Sequence, residues 1–283
     1  MNMKIFFMLL LLCTLIMNSK SYSQDAFPVL EGPYLGQEPP GLTPKVFAPG
    51  IVSTEHRDMA AFFTPNMKRL YFTRRDNKNN KWSLVCFQSE NNRWSGSVVG
   101  PRPRLSRPMT TADGKTDWDS HYWQRARTAW SEIKNLWPSY QNYRVMRLTA
   151  SSKGTYVFDV ATKDGDGIIR FSRLTDGKRE QPRAFGKEIN TGKWNAHPFI
   201  APDESYIMWD GERDSGFGAN DIYISFLQRD GSWGAAINLG DKINTDSEDI
   251  GAYVTPDGKY FFFNRNEDIY WVDASFIETL RPN

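Results

Sequence analysis

The stretch VTPDGKYFFFNRNEDIYWVDAS, from Val254 to Ser275, holds a Pro-Asp-Gly turn, three consecutive phenylalanines and an Asp-Ile-Tyr-Trp run. It is one copy of a repeat. Aligned on the turn, TPDGKYFFF (Thr255 to Phe263) matches APDESYIMW (Ala201 to Trp209), SSKGTYVFD (Ser151 to Asp159) and TPNMKRLYF (Thr64 to Phe72). A fragment, TADGK (Thr111 to Lys115), lacks the apolar run behind it. Successive turns lie 40 to 54 residues apart.

Two further motifs follow each turn in constant order. NDIYISF (Asn220 to Phe226) and EDIYWVD (Glu267 to Asp273) are the clear copies of the first; KWSLVCF, WDSHYWQ and DGIIRFS are weaker ones. DGSWGAAINLGDKINT (Asp230 to Thr245) and DGKREQPRAFGKEINT (Asp176 to Thr191) represent the second. A period of this size with strand-turn-strand content is the signature of propeller blades. The expected fold is therefore all-β, a single propeller of about five four-stranded blades. The second blade is eroded, and a sixth would appear if residues 101–108 hide a divergent piece.

The residues of the unit have physical reasons. Pro presets the first corner of the turn, and Gly takes a left-handed position that completes the hairpin. Gly258 and Gly154 fit that position, whereas Met67 and Glu204 predict strained turns. Phe261, Phe262 and Phe263 read as a strand buried on both faces, as expected of a blade between two neighbours. Small residues before each turn, Ala60-Ala61 and Gly251-Ala252, suit innermost strands crowding toward an axis. TPKVFAPGIVST (Thr43 to Thr54) resembles QPRAFGKEINT (Gln181 to Thr191), so an N-terminal strand is expected to complete the last blade and remove its open edge.

Composition agrees with this architecture and excludes several functions. In 283 residues there are 18 Phe, 12 Tyr, 10 Trp, 21 Gly and 16 Pro, a supply suited to short strands and tight turns. Thirty-five basic residues balance 33 acidic ones without a block of like charge, so no nucleic-acid partner is expected. Lys4, the apolar run Ile5 to Met17 and Ser21-Tyr22-Ser23 form a signal-peptide pattern, giving a leader over 1–23 and a propeller domain over 24–283. The apolar run is shorter than the roughly 20 residues of a spanning helix. The mature chain is thus expected to be periplasmic or secreted, monomeric, and without stable membrane insertion. Cys13 lies within the apolar run rather than after small residues at its end, which argues against a lipid anchor. Cys86 then remains alone in an apolar strand and reads as a buried small hydrophobe.

The Pro-Asp-Gly-Lys turn, aromatic strand and Asp-Ile-Tyr order resemble the TolB-like propeller repeat family, best in Ala201 to Gly240 and Thr255 to Asp273 and more weakly from Thr43 to Phe276. The resemblance implies the fold. It is neutral on function, since the family includes interaction proteins and propellers attached to peptidases.

A search for chemistry yields a mouth rather than a motif. There is no Gly-x-Ser-x-Gly elbow, phosphate loop or CxxC. His56, His121 and His197 lie on different units without metal-ligand spacing, and KDGDG (Lys163 to Gly167) lacks the downstream Glu of a calcium loop, so no metal or other cofactor is expected. TADGKTDW approaches the Asp box of sialidase-type propellers, itself a structural turn. Aligning on the turn brings Arg57, Arg144, Trp194 and Glu248 to one equivalent position and Asp58, Asn195 and Asp249 to the next, with His197 close by. These residues are the candidate channel-mouth site for a carboxylated or sugar-like ligand. The expected function is non-catalytic binding of a protein partner or a cell-envelope glycan. The alternative is a carbohydrate-active enzyme, hydrolase or lyase, drawing its carboxylates from Asp58, Asp210, Glu248 and Asp249.

Overall fold

The computed structural model describes residues 30–101 and 145–282. The first strands are β1 (Leu30–Glu31), β2 (Lys45–Val46), β3 (Arg57–Phe63), β4 (Arg69–Arg75), β5 (Trp82–Glu90) and β6 (Arg93–Pro101). Next come β7 (Leu148–Ala150), β8 (Tyr156–Val160), β9 (Ile168–Ser172), β10 (Leu174–Thr175), β11 (Lys178–Arg179) and β12 (Arg183–Ala184). The remainder are β13 (Lys193–Ile200), β14 (Tyr206–Glu212), β15 (Asp221–Phe226), β16 (Ile237–Asn238), β17 (Asp249–Val254), β18 (Tyr260–Arg265) and β19 (Asp268–Asp273).

These strands form a β-propeller. Its four blade sheets among the described residues run β3-β4-β5-β6-β1, β7-β8-β9-β12, β13-β14-β15-β16 and β17-β18-β19-β2. They correspond to the first, third, fourth and fifth sequence repeats and are called blades 1, 3, 4 and 5. The eroded second repeat, in residues 102–144, lies outside the described residues, as does the leader.

Closure follows the sequence expectation. Val46 pairs with Tyr270 and Lys45 with Trp271, so β2 supplies the outer strand of blade 5. A second latch was not legible in the repeats. Leu30 and Glu31 pair with Trp94 and Arg93 on the outer edge of blade 1, after which Tyr34 donates its hydroxyl to Asp257 in the blade 5 hairpin. Tyr34 also packs edge-on against Phe63 and Tyr260. The chain before β2 thereby ties together the two blades that the closing strand joins.

The phenylalanine run divides between two interfaces. Phe262 joins Phe47, Phe63 and Trp271 between blades 5 and 1, while Phe261 and Phe263 join Met208, Ile222 and Phe226 between blades 4 and 5. Alternation along β18 thus sends successive rings to opposite faces, and both faces are covered. Cys86 is buried as expected. The turn residues also behave as read: Gly258 and Gly154 have φ of 74° and 86°, and Met67 and Glu204 are forced to 59° and 66° in the same left-handed region.

Polar locks join the blades. A bulge in each of β3, β13 and β17 carries a left-handed residue, Ala60, His197 and Gly251 respectively. The amide of each donates to a side chain on the preceding blade: Ala60 to Asn264, His197 to Asp159 and Gly251 to Asp210. The loop entering each blade adds an Asn or Ser that mimics a strand neighbour. Asn190 exchanges hydrogen bonds with the backbone of Ile169, Asn244 with Ile222 and Ser53 with Ile269.

A third lock is a Thr-Asp-Arg clamp. Asp58 accepts from the amide and hydroxyl of Thr54 and from Arg74 Nε at 2.6 Å, and Arg74 reaches on to the carbonyls of Ile51 and Val52. Asp249 repeats this with Thr245, Arg265 and the carbonyl of Ile243. Both carboxylates are 0% exposed in their side chains. A buried charge that loses its partner is strongly destabilising. Blade 4 has the guanidinium without the carboxylate: Arg213 donates to the Ile189 carbonyl, but its Nε has no partner among the described residues. Arg74→Met is therefore expected to lower the unfolding free energy by about 3 kcal/mol, and Arg213→Met by only about 1 kcal/mol. Urea unfolding measures both; equal losses would show that the Asp58 clamp is not the stabilising element.

Candidate functional site

The first strand of blade 4 departs from its counterparts. β13 breaks register twice, between Lys193 and Ala196 and again between Ala196 and Phe199, where β3 and β17 break once. The second break is the shared bulge at His197. The first is particular to this blade and puts Trp194 at φ 57°, an uncommon conformation for a bulky residue. Its repeat equivalents, Arg57 and Glu248, are not left-handed. Strain that the fold does not require elsewhere is a marker of a working site.

Beside this irregular segment lies a cavity of about 510 Å³ between blades 3, 4 and 5. Blade 3 contributes Met146 and the Ala161 to Gly167 loop; blade 4 contributes Trp194 to His197, Asp210, Glu212 and Asn220; blade 5 contributes Glu248 and Ile250. The indole of Trp194 is held over the blade 3 loop. A methyl group on Gly165 would fall 2.9 Å from its six-membered ring, so only glycine allows this approach. Trp194 remains 55% exposed, presenting apolar ring surface at the mouth.

Polar groups converge beneath it. His197 Nδ1 lies 3.1 and 3.0 Å from the two oxygens of Asp210, which also accepts the Gly251 amide. This fixes the ring and leaves Nε2 without a hydrogen-bond partner among the described residues. Burial disfavours the imidazolium, but the adjacent Asp210 carboxylate, by charge and hydrogen bond, and then Asp159 outweigh that cost and hold the His197 pKa above its ordinary value. Behind the dyad Arg147 is fully buried, donating to the carbonyls of His197 and Ala252. Burial pushes its pKa down to about 10 against the pull of Asp210 and Asp159, while burial raises that of Asp159.

Two amide oxygens in the lining have no hydrogen-bond partner among the described residues, Asn195 Oδ1 and Asn220 Oδ1. Asn195 is 2% exposed, and its amide nitrogen is taken by the Asp166 carbonyl. It occupies the clamp position of Asp58 and Asp249, and Gly211 stands where blades 1 and 5 have Arg74 and Arg265. A Cβ on Gly211 would lie 3.0 Å from Asn195 Oδ1. The hydroxyl of Thr191, equivalent to the clamp threonines, turns instead to the Lys187 carbonyl. Among the described residues no three potential His, Cys, Asp or Glu ligands gather as a metal site.

The candidate residues are thus partly assembled. Trp194, Asn195, His197 and Glu248 line one cavity with Asp210. Asp58 and Asp249 stand at the position equivalent to Asn195 but are sealed in structural clamps. Arg57 is outside the lining, 3.5 Å from Glu267. Arg144 lies outside the described residues. Glu212, Asn220 and Gly165 belong to the site and went unnoticed in the sequence. A signal was available: the fourth repeat, set against the clamp of the first and fifth, lacks both the Asp and the Arg.

No family model matches the chain, and a search of curated proteins gives no significant match. Among solved structures, TolB of Acinetobacter baumannii is similar with a TM-score of 0.41 and 12% identity, over 77% of this chain and 54% of that one. The chain therefore spans about half the length of that relative. A gluconolactonase of Xanthomonas campestris has a TM-score of 0.38 and 7% identity, over 88% of this chain and 98% of that one. The NanB sialidase of Streptococcus pneumoniae has a TM-score of 0.32 and 10% identity, over 74% and 29%. Likenesses at this level say nothing of activity.

The dyad has a pH signature. A raised folded-state pKa means the imidazolium pair stabilises fully below the unfolded value of about 6.5 and less as pH rises through the folded value. The difference in Tm between wild type and His197→Gln is expected to be larger near pH 5.5 than near pH 9, roughly one unit below and well above the ordinary value, by thermal unfolding. A difference independent of pH would refute the charged pairing.

Proposed function

We propose that the chain is an exported TolB-like propeller that binds a glycan of the cell envelope, without catalysis, in the cavity between blades 3, 4 and 5. The observation that carries this is the pairing of an exposed, strained Trp194 with buried acceptors that have no partner among the described residues, Asn195 Oδ1 and Asn220 Oδ1. An indole face stacks on the apolar face of a sugar ring, and amide oxygens accept its hydroxyl protons. An unsatisfied buried acceptor costs about 1–3 kcal/mol, which a hydroxyl donor would recover. A concave site also suits a small ligand better than the broad surface a protein partner needs. Export is supported by the N-terminal pattern around Lys4, Ile5 to Met17 and Ser21 to Ser23.

One observation favours a second reading, a carbohydrate-active enzyme: the dyad directs an oriented imidazole at the cavity, as a general acid or base requires. Asp210 and Glu248 also share the lining, whereas Asp58 and Asp249 are committed to their arginines.

Calorimetric titration of the mature chain with neutral β-linked oligosaccharides separates the readings. Binding without release of new reducing ends is expected, weakened about tenfold, or 1.4 kcal/mol, by Trp194→Ala. Reducing ends that vanish with His197→Gln would favour the enzyme, and affinity unchanged by Trp194→Ala would remove the cavity from consideration.

A further inference from the structure

Charge makes the ligand more specific. We infer that the cavity selects a glycan carrying a free amine, an ammonium-bearing amino sugar. This inference rests on the glycan reading of the same cavity.

Among the described residues no lysine or arginine lines the cavity. His197, when protonated, is matched by Asp210 in direct contact, and the charge of buried Arg147 faces Asp159 and Asp210. Two carboxylates in the lining remain, Glu212 and Glu248, neither of which has an ion-pair partner within 4.0 Å among the described residues. Lys193 stands opposite Glu212 in the strand pairing, but its exposed side chain is not part of the lining. Glu248 accepts only a long hydrogen bond from the amide nitrogen of Asn220, at 3.3 Å. That contact turns Asn220 so that its Oδ1 is the buried oxygen lacking a donor.

Apart from His197 Nε2, the unmet groups among the described residues are acceptors: two carboxylates and two amide oxygens, the deepest of them on Asn195, which is 2% exposed. Their complement is a cluster of donors with positive charge. An ammonium group supplies three N–H donors and a full charge, and the exposed face of Trp194 adds attraction for a cation. An N-acetyl group on the same sugar loses the charge and two donors, and it adds a carbonyl that would meet like acceptors. A carboxylated sugar would face Glu212 and Glu248 directly. The feature that repels acidic and acetylated ligands is the same one that attracts the amine, which is how a site gains selectivity as well as affinity.

The test compares three tetrasaccharides of one β-1,4 linkage, built from glucosamine, N-acetylglucosamine and glucose, by calorimetric titration at low salt below the pKa of the sugar amine. The glucosamine oligomer is expected to bind at least tenfold more tightly than the other two. That preference should collapse in Glu212→Gln/Glu248→Gln, while Trp194→Ala weakens all ligands. If the double variant fails to fold, Glu248→Gln alone and the salt dependence of the wild type carry the test, since an ammonium-carboxylate contact weakens as ionic strength rises from about 0.05 to 0.5 M. Equal binding of the three oligomers, or tighter binding of the acetylated or neutral one, overturns the inference and leaves the glycan reading standing. Binding of a lysine-rich peptide with no sugar bound overturns both.

Discussion

The backbone amide of a left-handed residue, donated across a blade boundary, is the contact on which the architecture turns. Ala60, His197 and Gly251 occupy the same bulge in three innermost strands, and each delivers its amide to Asn264, Asp159 or Asp210 on the blade before. A bulge leaves one amide outside its own ladder, and a buried amide without an acceptor is expensive. The neighbouring blade therefore has to supply the acceptor, and the blades are fixed in rotation about their common axis. The pair Asn264 and Ala60 makes the same contact across the closing seam, so the ring is joined there by the device used between blades 3 and 4 and between blades 4 and 5.

The site is an elaboration of that contact. Asp210 takes the Gly251 amide as its counterparts take theirs, but its bulge neighbour His197 is not a small residue. The imidazole fills the space before the carboxylate and engages both oxygens. One carboxylate thus holds blade 5 against blade 4 and orients the one imidazole of the cavity lining. Because Asp210 is 2% exposed in its side chain, its charge acts on His197 with little screening by water. The pKa direction of His197 is a consequence of the propeller's own joinery.

How far the sequence could be read follows from what a repeat does and does not contain. The turn, the buried phenylalanines, the Asp-started strand and the closing strand were legible because each copy must meet the same covalent and packing demands. Phe262 and Phe261 face different interfaces, yet both are needed in any blade with two neighbours. The latch at Leu30 to Tyr34 was not legible, since it occurs once and has no copy to compare. Alignment placed Asp58, Asn195 and Asp249 together correctly but could not distinguish a sealed carboxylate from a ligand-facing amide. That distinction depends on a second strand, where Arg74 and Arg265 face Gly211, and a pairing register is needed to connect them.

The same comparison explains why the cavity lies where it does. In blades 1 and 5 the Thr-Asp-Arg clamp occupies the corner between the entering loop and the second strand and buries its carboxylate there. In blade 4 the three positions are Thr191, Asn195 and Gly211, and the guanidinium comes from Arg213, two residues further along. Removing the arginine from position 211 and the charge from position 195 frees the corner and leaves an unpaired acceptor in it. The extra bulge at Trp194 then becomes tolerable, because β13 no longer has to present a carboxylate in register with a guanidinium on β14. Blade 3 lacks the clamp as well, with Val145 and Val160 at its positions; what sets blade 4 apart is that the vacated corner holds a tryptophan, a histidine and an unmet amide at its mouth.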